Sequence, residues 1–210
     1  MKSIIGSLVL LAGLTANAGL LTLAPGNKQI EGVTLNQTAQ AAGTGSMSLL
    51  GAGLRSKTVL FVAAKVYVAE IFSSEAAKFS RDANALKSLE TANATAIRLT
   101  FLRGVDAATV ASSYREALAA NNVNLQDAAI AQFLANVEKG GDAASGKSFV
   151  MLLTLTANGG TQLTYEDTKN QISVVQGPRA LQQQILSIWL GNSADAGLEK
   201  LKKSLLNPVY

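Results

Sequence analysis

Arg55 stands in a mainly apolar, glycine-containing segment, residues 50–57, where a charged side chain needs a partner. A guanidinium buried alone is costly, and its planar donors match a carboxylate or a phosphate. Tyr67 lies in the next alternating segment and offers a hydroxyl if the two segments pair. An arginine and a tyrosine in an apolar cleft are typical of a clamp for a ligand carboxylate. A structural ion pair between Arg55 and an acid such as Glu70 explains the arginine equally well.

Histidine and cysteine are both absent from the 210 residues. Their absence excludes a Ser-His-Asp triad, a histidine general base and zinc sites built from histidine or cysteine. No disulfide can form, although an exported protein meets an oxidising environment. Any catalytic chemistry would use arginine, lysine, tyrosine, carboxylates or hydroxyls, and we expect neither a metal nor a cofactor.

Residues 141–148 match the phosphate-binding pattern G-x-x-x-x-G-K-[ST] in full. That loop follows a strand and opens a helix, whose N-terminus then meets the phosphates. Here a helical pattern precedes the glycines and an apolar strand pattern follows Ser148, so we interpret the segment as a turn. Gly51 and Gly53 begin a dinucleotide-binding pattern, but Ser56 occupies the place of the third glycine and the segment continues as a strand.

Hydrophobic periodicity predicts strands and helices in separate blocks along the chain. Apolar runs and alternating patterns predict strands at residues 29–35, 48–62, 65–72, 95–103, 149–156, 161–165 and 171–175. Apolar stripes with helical spacing predict helices at residues 74–89, 106–121, 125–139 and 178–190, and a last helix with Ser193 as its N-cap. These blocks indicate an α+β fold in a single domain.

The first residues carry an export pattern. Lys2 precedes an apolar run over residues 4–14, and Ala16-Asn17-Ala18 resembles a cleavage site. The run is shorter than the roughly 20 residues that a bilayer requires, and no later segment is apolar enough to span one. We therefore expect a signal peptide at residues 1–18, a flexible leader at residues 19–28 and a folded domain over residues 29–206. The mature protein would be soluble, and periplasmic or secreted.

The charge of the chain does not indicate a polyanionic partner. The formal net charge is +4, and without Lys2 the remaining 17 basic and 14 acidic residues leave +3. The basic residues are spread along the sequence, whereas a nucleic-acid-binding protein usually carries a basic stripe. We expect no nucleic-acid partner and a monomeric protein.

Several segments, taken in this order, resemble the bacterial chalcone isomerase-like family. They are Gly51-x-Gly53-x-Arg55, KVYVA at 65–69, NGGT at 158–161, IWLG at 188–191, AGL at 196–198 and KKSLL at 202–206. The resemblance covers residues 31–206 and implies an open-faced antiparallel β-sheet packed against a layer of helices, assigned here to residues 29–206. The family includes plant chalcone isomerases, which close a flavonoid ring, and plastid relatives that bind fatty acids.

The resemblance also implies roles for particular residues. Arg55 matches the family's arginine, which holds an anionic oxygen or a carboxylate. By looser alignment the catalytic threonine of the isomerases falls near Val62, their tyrosine near Asp106 and their asparagine near Ser113, so most of the isomerase groups are missing. Tyr67 matches the tyrosine that helps to hold the carboxylate in the fatty-acid-binding relatives.

The sequence therefore favours an exported, non-catalytic binding protein for a small apolar acid, such as a fatty acid, with Arg55 and Tyr67 as the ligand-binding residues. One alternative is an intramolecular lyase or isomerase of the chalcone isomerase type, in which Arg55 acts as an electrophile. Another is an interaction module with a vestigial cleft, in which side chains fill the cleft and Arg55 pairs with a protein carboxylate.

Overall fold

The computed structural model describes residues 19–59 and 62–208, and the signal peptide expected at residues 1–18 lies outside this part of the chain. Eight strands within it form one antiparallel sheet, in which each strand pairs with its neighbours in sequence. They are β1 (Thr22–Ile30), β2 (Val33–Gln40), β3 (Met47–Val59), β4 (Val62–Ser73), β5 (Ala94–Phe101), β6 (Ser148–Leu155), β7 (Thr161–Glu166) and β8 (Ile172–Gly177). The open antiparallel sheet expected from the sequence is confirmed.

Five α-helices accompany the sheet in the described residues. They are α1 (Ala85–Ser88), α2 (Ala107–Ala120), α3 (Ala128–Gly140), α4 (Ala180–Leu190) and α5 (Ala196–Leu206). The first long pair, α2 and α3, connects β5 to β6, and the second pair, α4 and α5, follows β8. None of these helices has the length and apolar composition that a membrane span requires. The arrangement confirms the predicted α+β class.

The main core lies between the helices and one face of the sheet. Side chains alternate along a strand, so every second residue of the central strands points towards the helices. These buried residues include Ile97, Leu99 and Phe101 in β5 and Phe149, Met151 and Leu153 in β6, opposite Leu118, Phe133, Ile185 and Trp189 of the helices. The hairpin of β1 and β2 lies against the opposite face, where Leu35 packs with Ala52 and Val68.

The hairpin of β1 and β2 differs from the sequence prediction. Residues 22–28, which we expected in a flexible leader, belong to β1, which pairs with β2 from Thr22 opposite Gln40 to Ile30 opposite Val33. The single strand predicted at residues 29–35 contains the turn of this hairpin, where Glu31 and Gly32 have positive φ. β1 is mostly exposed, so backbone pairing rather than an apolar face forms it, and periodicity does not detect such a strand.

The helix predicted at residues 74–89 is also different. A 3-10 turn at Ala76–Lys78 and the single-turn helix α1 take its place. Polar side chains bind the backbone between them: Asp82 accepts from the N–H of Asn84, and the hydroxyl of Ser88 accepts from the N–H of Ser80. Such local bonds compete with those of a continuous helix.

Residues 141–147 connect α3 to β6, and Gly141 and Gly146 have positive φ there. A helix precedes this connection and a strand follows it, which reverses the order that phosphate binding requires. The interpretation of residues 141–148 as a turn is therefore confirmed.

Candidate functional site

A cavity of about 270 Å³ opens between the sheet and helices α2, α4 and α5. Its apolar walls come from Val66, Phe101, Val110, Ile188 and Leu198. Both residues that the sequence singles out, Arg55 and Tyr67, line this cavity. An apolar hollow with a few polar groups is the common form of a small-molecule site.

Three aromatic side chains of the cavity wall belong to a closed ring of seven aromatic side chains that joins the sheet to the helices. In order they are Tyr67, Phe101, Phe149, Tyr165, Phe133, Tyr114 and Trp189, with ring centroids 4.8 to 6.1 Å apart where rings contact. The ring closes through a hydrogen bond of 3.2 Å, which Trp189 Nε1 donates to the hydroxyl of Tyr67. Most contacts are edge to face, the favourable arrangement for aromatic pairs. The ring therefore packs behind the part of the wall formed by Tyr67, Phe101 and Tyr114.

Helix α5 lies directly on β3 because two glycines of that strand lack side chains. A Cβ at Gly51 would collide with the backbone of Leu205, and a Cβ at Gly53 would crowd Leu201. Residues 51, 53 and 55 share one face of the strand, so Arg55 meets the beginning of the same helix. The close approach of the two backbones at these glycines sets the place of the guanidinium.

The guanidinium of Arg55 is held between β3 and α5. Its Nη2 donates to Asp195 Oδ2 at 2.5 Å, and its Nη1 donates to the carbonyl of Ser56 at 2.5 Å. Gly197 lies against the guanidinium so closely that a Cβ there would collide with it. The side chain of Arg55 is 6% exposed, whereas that of Asp195 is 36% exposed. The ion pair is therefore sealed on the side of the arginine and open on the side of the acid.

Asp195 also caps helix α5, because its Oδ1 accepts from the N–H of Leu198 at 2.9 Å. Partial burial raises the pKa of the Asp195 carboxyl, but the Leu198 N–H and the Arg55 guanidinium outweigh burial and hold that pKa below its ordinary value. Asp195 is therefore ionised at neutral pH and balances the charge of Arg55.

Tyr67 stands directly opposite Arg55 in the pairing of β3 with β4. Its hydroxyl accepts a bond from Trp189 and lies beside the Arg55 guanidinium, and among the described residues its own proton has no acceptor. Burial raises the pKa of Tyr67, and the charge of Arg55 offsets only part of that effect. The hydroxyl therefore keeps its proton at neutral pH and is free to donate to a ligand.

Two exposed cationic side chains, Lys57 and Arg103, also line the cavity. Neither has an ion-pair partner in the part of the chain that the structure describes. One acid, Asp106, lines the same cavity and caps α2 by accepting from the N–H and the hydroxyl of Thr109. The excess of positive charge in the lining favours an anionic ligand.

The structure thus brings Arg55 and Tyr67 together but separates Arg55 from Glu70, which lies on the opposite face of the sheet. Sequence reasoning missed Asp195: the N-cap predicted at Ser193 is wrong, and the Ser193 hydroxyl instead donates to Glu199. An aspartate three residues before the apolar Leu198 is itself an N-cap signal. It would have identified Asp195, although not its partner.

The positions aligned loosely with isomerase residues divide into two groups. Asp106 and Ser113 line the cavity. Val62 is 68% exposed and stands outside the lining. Lys57, Arg103 and Tyr114 also line the cavity, although no motif in the sequence distinguishes them.

Comparisons with known proteins agree with this architecture. A family model described as chalcone isomerase-like matches residues 27–207. The chain is similar to the crystal structure of a fatty-acid binding protein from Arabidopsis thaliana, with 17% sequence identity and a TM-score of 0.57, over 80% of this chain and 91% of that one. No curated protein matches the chain. At this identity the structural likeness shows a shared fold, while the family model covers most of the sequence. The chain therefore belongs to the chalcone isomerase-like family.

Proposed function

We propose that the protein is exported and binds a small apolar acid without transforming it. The observation that carries the proposal is the cavity itself, whose walls are mainly apolar and whose lining includes Arg55 and Tyr67. These two residues stand opposite each other in neighbouring strands. An amphiphile with one anionic group suits an apolar cavity that offers a guanidinium and a hydroxyl.

The charges favour an acid over a base as the ligand. Three cations, Arg55, Lys57 and Arg103, line the cavity with one acid, Asp106. Asp195 balances Arg55, so the two exposed cations supply the remaining positive charge. A guanidinium also offers several N–H groups in one plane, which is the geometry that a carboxylate accepts.

The size of the cavity favours a short or medium-length ligand. A volume of about 270 Å³ lies near the lower end of the roughly 300–1,000 Å³ found for ligand pockets. At roughly 30 Å³ for a water-sized group, it holds about nine such groups. A saturated acid of eight carbons is therefore a suitable probe. The Arabidopsis structure, which is named as a fatty-acid binding protein, supports the choice of ligand class.

The cavity argues for binding rather than isomerisation. General acid–base catalysis needs a group whose pKa lies near the working pH. Burial raises the pKa of the Tyr67 hydroxyl, so this group is a hydrogen-bond donor rather than a base. The loosely aligned threonine position is Val62, which has no hydroxyl and stands outside the cavity.

The alternative of an interaction module receives support from one observation. Arg55 pairs with a protein carboxylate, Asp195, as such a module would require. The cavity, however, is open rather than filled by side chains. Binding of an acid therefore remains the function that the site supports best.

The proposal is tested by replacing Arg55 with methionine and titrating octanoate, using the fluorescence of Trp189, the single tryptophan of the chain. A charge-assisted hydrogen bond contributes about 1.5–3 kcal/mol, so Arg55→Met should weaken octanoate binding at least about tenfold. Octanol, which has no carboxylate, should lose much less. Arg115→Met is the matched control, because Arg115 forms an exposed ion pair with Glu138 and stands outside the cavity.

Native mass spectrometry of the protein from its own host completes the test. A mature mass that begins after Ala18 would support export, and a co-purifying acid would identify the natural ligand. Equal octanoate affinity in the wild type and Arg55→Met, or no binding by either, would contradict the proposed function.

A further inference from the structure

We propose that Asp195 is a built-in competitor of the ligand carboxylate: the two anions compete for Arg55, and the ligand displaces Asp195 when it binds. This inference rests on the proposed function, because it concerns an acid in the same cavity. It identifies Asp195, whose pairing with Arg55 the sequence does not indicate, as the residue that sets affinity for an anionic head.

The ion pair between Arg55 and Asp195 can open in one direction only. Arg55 cannot leave its site, because its side chain is 6% exposed and Gly197 and the carbonyl of Ser56 enclose its Nη1. Asp195 is 36% exposed and lies at the beginning of α5. If a second anion reaches the guanidinium, the aspartate is therefore the partner that moves to water.

Asp195 and a ligand carboxylate would repel each other at the same guanidinium. One guanidinium neutralises one carboxylate, and Asp195 already holds Nη2 at 2.5 Å. A ligand carboxylate added at Arg55 would place two negative charges beside one positive charge, which disfavours the complex. Burial of the ligand's apolar chain and the cations Lys57 and Arg103 favour it.

Asp195 is also bonded to the first turn of helix α5. Its second carboxylate oxygen accepts from the N–H of Leu198, and Leu198 itself lines the cavity. Displacement of Asp195 would release this cap and loosen the first turn of α5. The rest of α5 stays in place, because Leu201 and Leu205 pack on Gly53 and Gly51.

The test is Asp195→Asn, with octanoate and octanol as probes. Asparagine keeps the size of the side chain and is also a good N-cap, so α5 should form as before. Without the competing charge, octanoate should bind about tenfold more tightly, while octanol should change less than about twofold. In the double variant with Arg55→Met, the Asp195→Asn change should bring no gain in octanoate affinity.

The matched control is Glu199→Gln. It removes the same unit charge from the beginning of α5, but Glu199 pairs with Lys203, whereas Asp195 pairs with Arg55. Neither acid is among the residues that line the cavity, so the partner is the feature that distinguishes them. A gain in octanoate affinity confined to Asp195→Asn therefore supports direct competition, whereas an equal gain in Glu199→Gln overturns it in favour of a general charge effect.

The remaining outcomes separate this inference from the proposed function. If the wild type binds octanoate and Asp195→Asn binds it equally or more weakly, the competition is wrong and Asp195 merely orients Arg55. If neither protein binds octanoate, the proposed function fails and this inference fails with it. The amide resonance of Leu198 gives a second measurement: octanoate should shift it strongly in the wild type, and an unchanged resonance at saturation would overturn the displacement.

Discussion

The two faces of the sheet each hold an arginine–carboxylate pair, and the pairs are built in opposite ways. On the face away from the helices Arg98 pairs with Glu70, whose side chain is fully buried. On the helix face Arg55 is the buried partner, and Asp195 is open to solvent. The chemistry of the two pairs is the same. The pair whose carboxylate is buried is a closed structural unit. The pair whose carboxylate is exposed is one that a ligand can open.

The carboxylate of the pair on the closed face has its hydrogen-bonding capacity filled. Glu70 accepts from Arg98 at 2.8 Å, and from the backbone and side-chain N–H groups of Asn36 at 2.7 and 3.0 Å. Asn36 belongs to β2, so the hairpin of β1 and β2 covers the carboxylate from outside. A buried carboxylate with this many donors has no room for another partner. Its role is to fix the hairpin on the sheet.

The pair on the helix face keeps spare donors. Arg55 has five N–H groups and uses one for Asp195 and one for Ser56. The hydroxyl proton of Tyr67 also has no acceptor among the described residues. Unfilled donors at the wall of a cavity favour ligand binding, because a ligand can accept from groups that the fold leaves unused.

The largest expected effect is a difference in the free energy of unfolding when the carboxylate of each pair is replaced by an amide. Glu70→Gln should lower the free energy of unfolding by about 3 kcal/mol or more, because Arg98 and Asn36 then donate towards a neutral amide at a fully buried position. Asp195→Asn should cost about 1 kcal/mol, since water can reach the exposed side of that pair. Urea unfolding at pH 7 measures both. Equal losses would mean that solvent access does not distinguish the faces.

Much of this comparison was accessible from the sequence. The strands that contain Arg55 and Tyr67 were predicted as neighbours, and the two residues stand opposite each other. Tyr67 and Glu70 are three residues apart in β4, so alternation alone places them on opposite faces and argues against an Arg55–Glu70 pair. The family resemblance over residues 31–206 is confirmed by the match over residues 27–207.

The missing parts of the site depend on long-range packing. Asp195 lies 140 residues from Arg55, and their contact exists only because α5 settles on the glycines of β3. Periodicity describes one element at a time and carries no information on which helix meets which strand. β1 was not predicted for a related reason. Pairing with β2 holds this strand in place, and its own side chains show no apolar alternation.

A smaller effect should follow from adding a methyl group between β3 and α5. In Gly51→Ala the new methyl group would collide with the backbone of Leu205, so α5 must move away from the strand. We expect a loss of about 2 kcal/mol in the free energy of unfolding, since overpacking typically costs about 1–3 kcal/mol. The closed face should be unaffected, and the amide resonance of Asn36 should stay in place.

Gly45→Ala is the matched control for this change, because Gly45 is exposed and nothing lies within 4 Å of the added carbon. Its stability should stay within about 0.5 kcal/mol of the wild type. If Gly51→Ala were equally harmless, the contact between β3 and α5 would not be the support of the cavity that we infer.

The smallest effect concerns the hydroxyl of Tyr67, which joins β4 to Trp189 of α4. Tyr67→Phe leaves the indole N–H of Trp189 buried without its acceptor, so at pH 7 the free energy of unfolding should fall by about 1 kcal/mol. Tyr114→Phe is the control, because the buried hydroxyl of Tyr114 has no partner among the described residues and its loss should cost nothing. Urea unfolding followed by Trp189 fluorescence measures both variants.

The same variant predicts a pH dependence. Burial raises the pKa of Tyr67 in the folded protein above the 10.0 of a free tyrosine. The folded state therefore keeps this proton where the unfolded chain loses it, and the hydroxyl's contribution is full below about pH 10 and declines above it. Because Tyr67→Phe cannot ionise there, its deficit relative to the wild type should shrink by up to about 1.4 kcal/mol per pH unit above pH 10. A deficit that stays constant from pH 8 to pH 11 would mean that the hydroxyl is hydrated in solution rather than buried beneath the cavity.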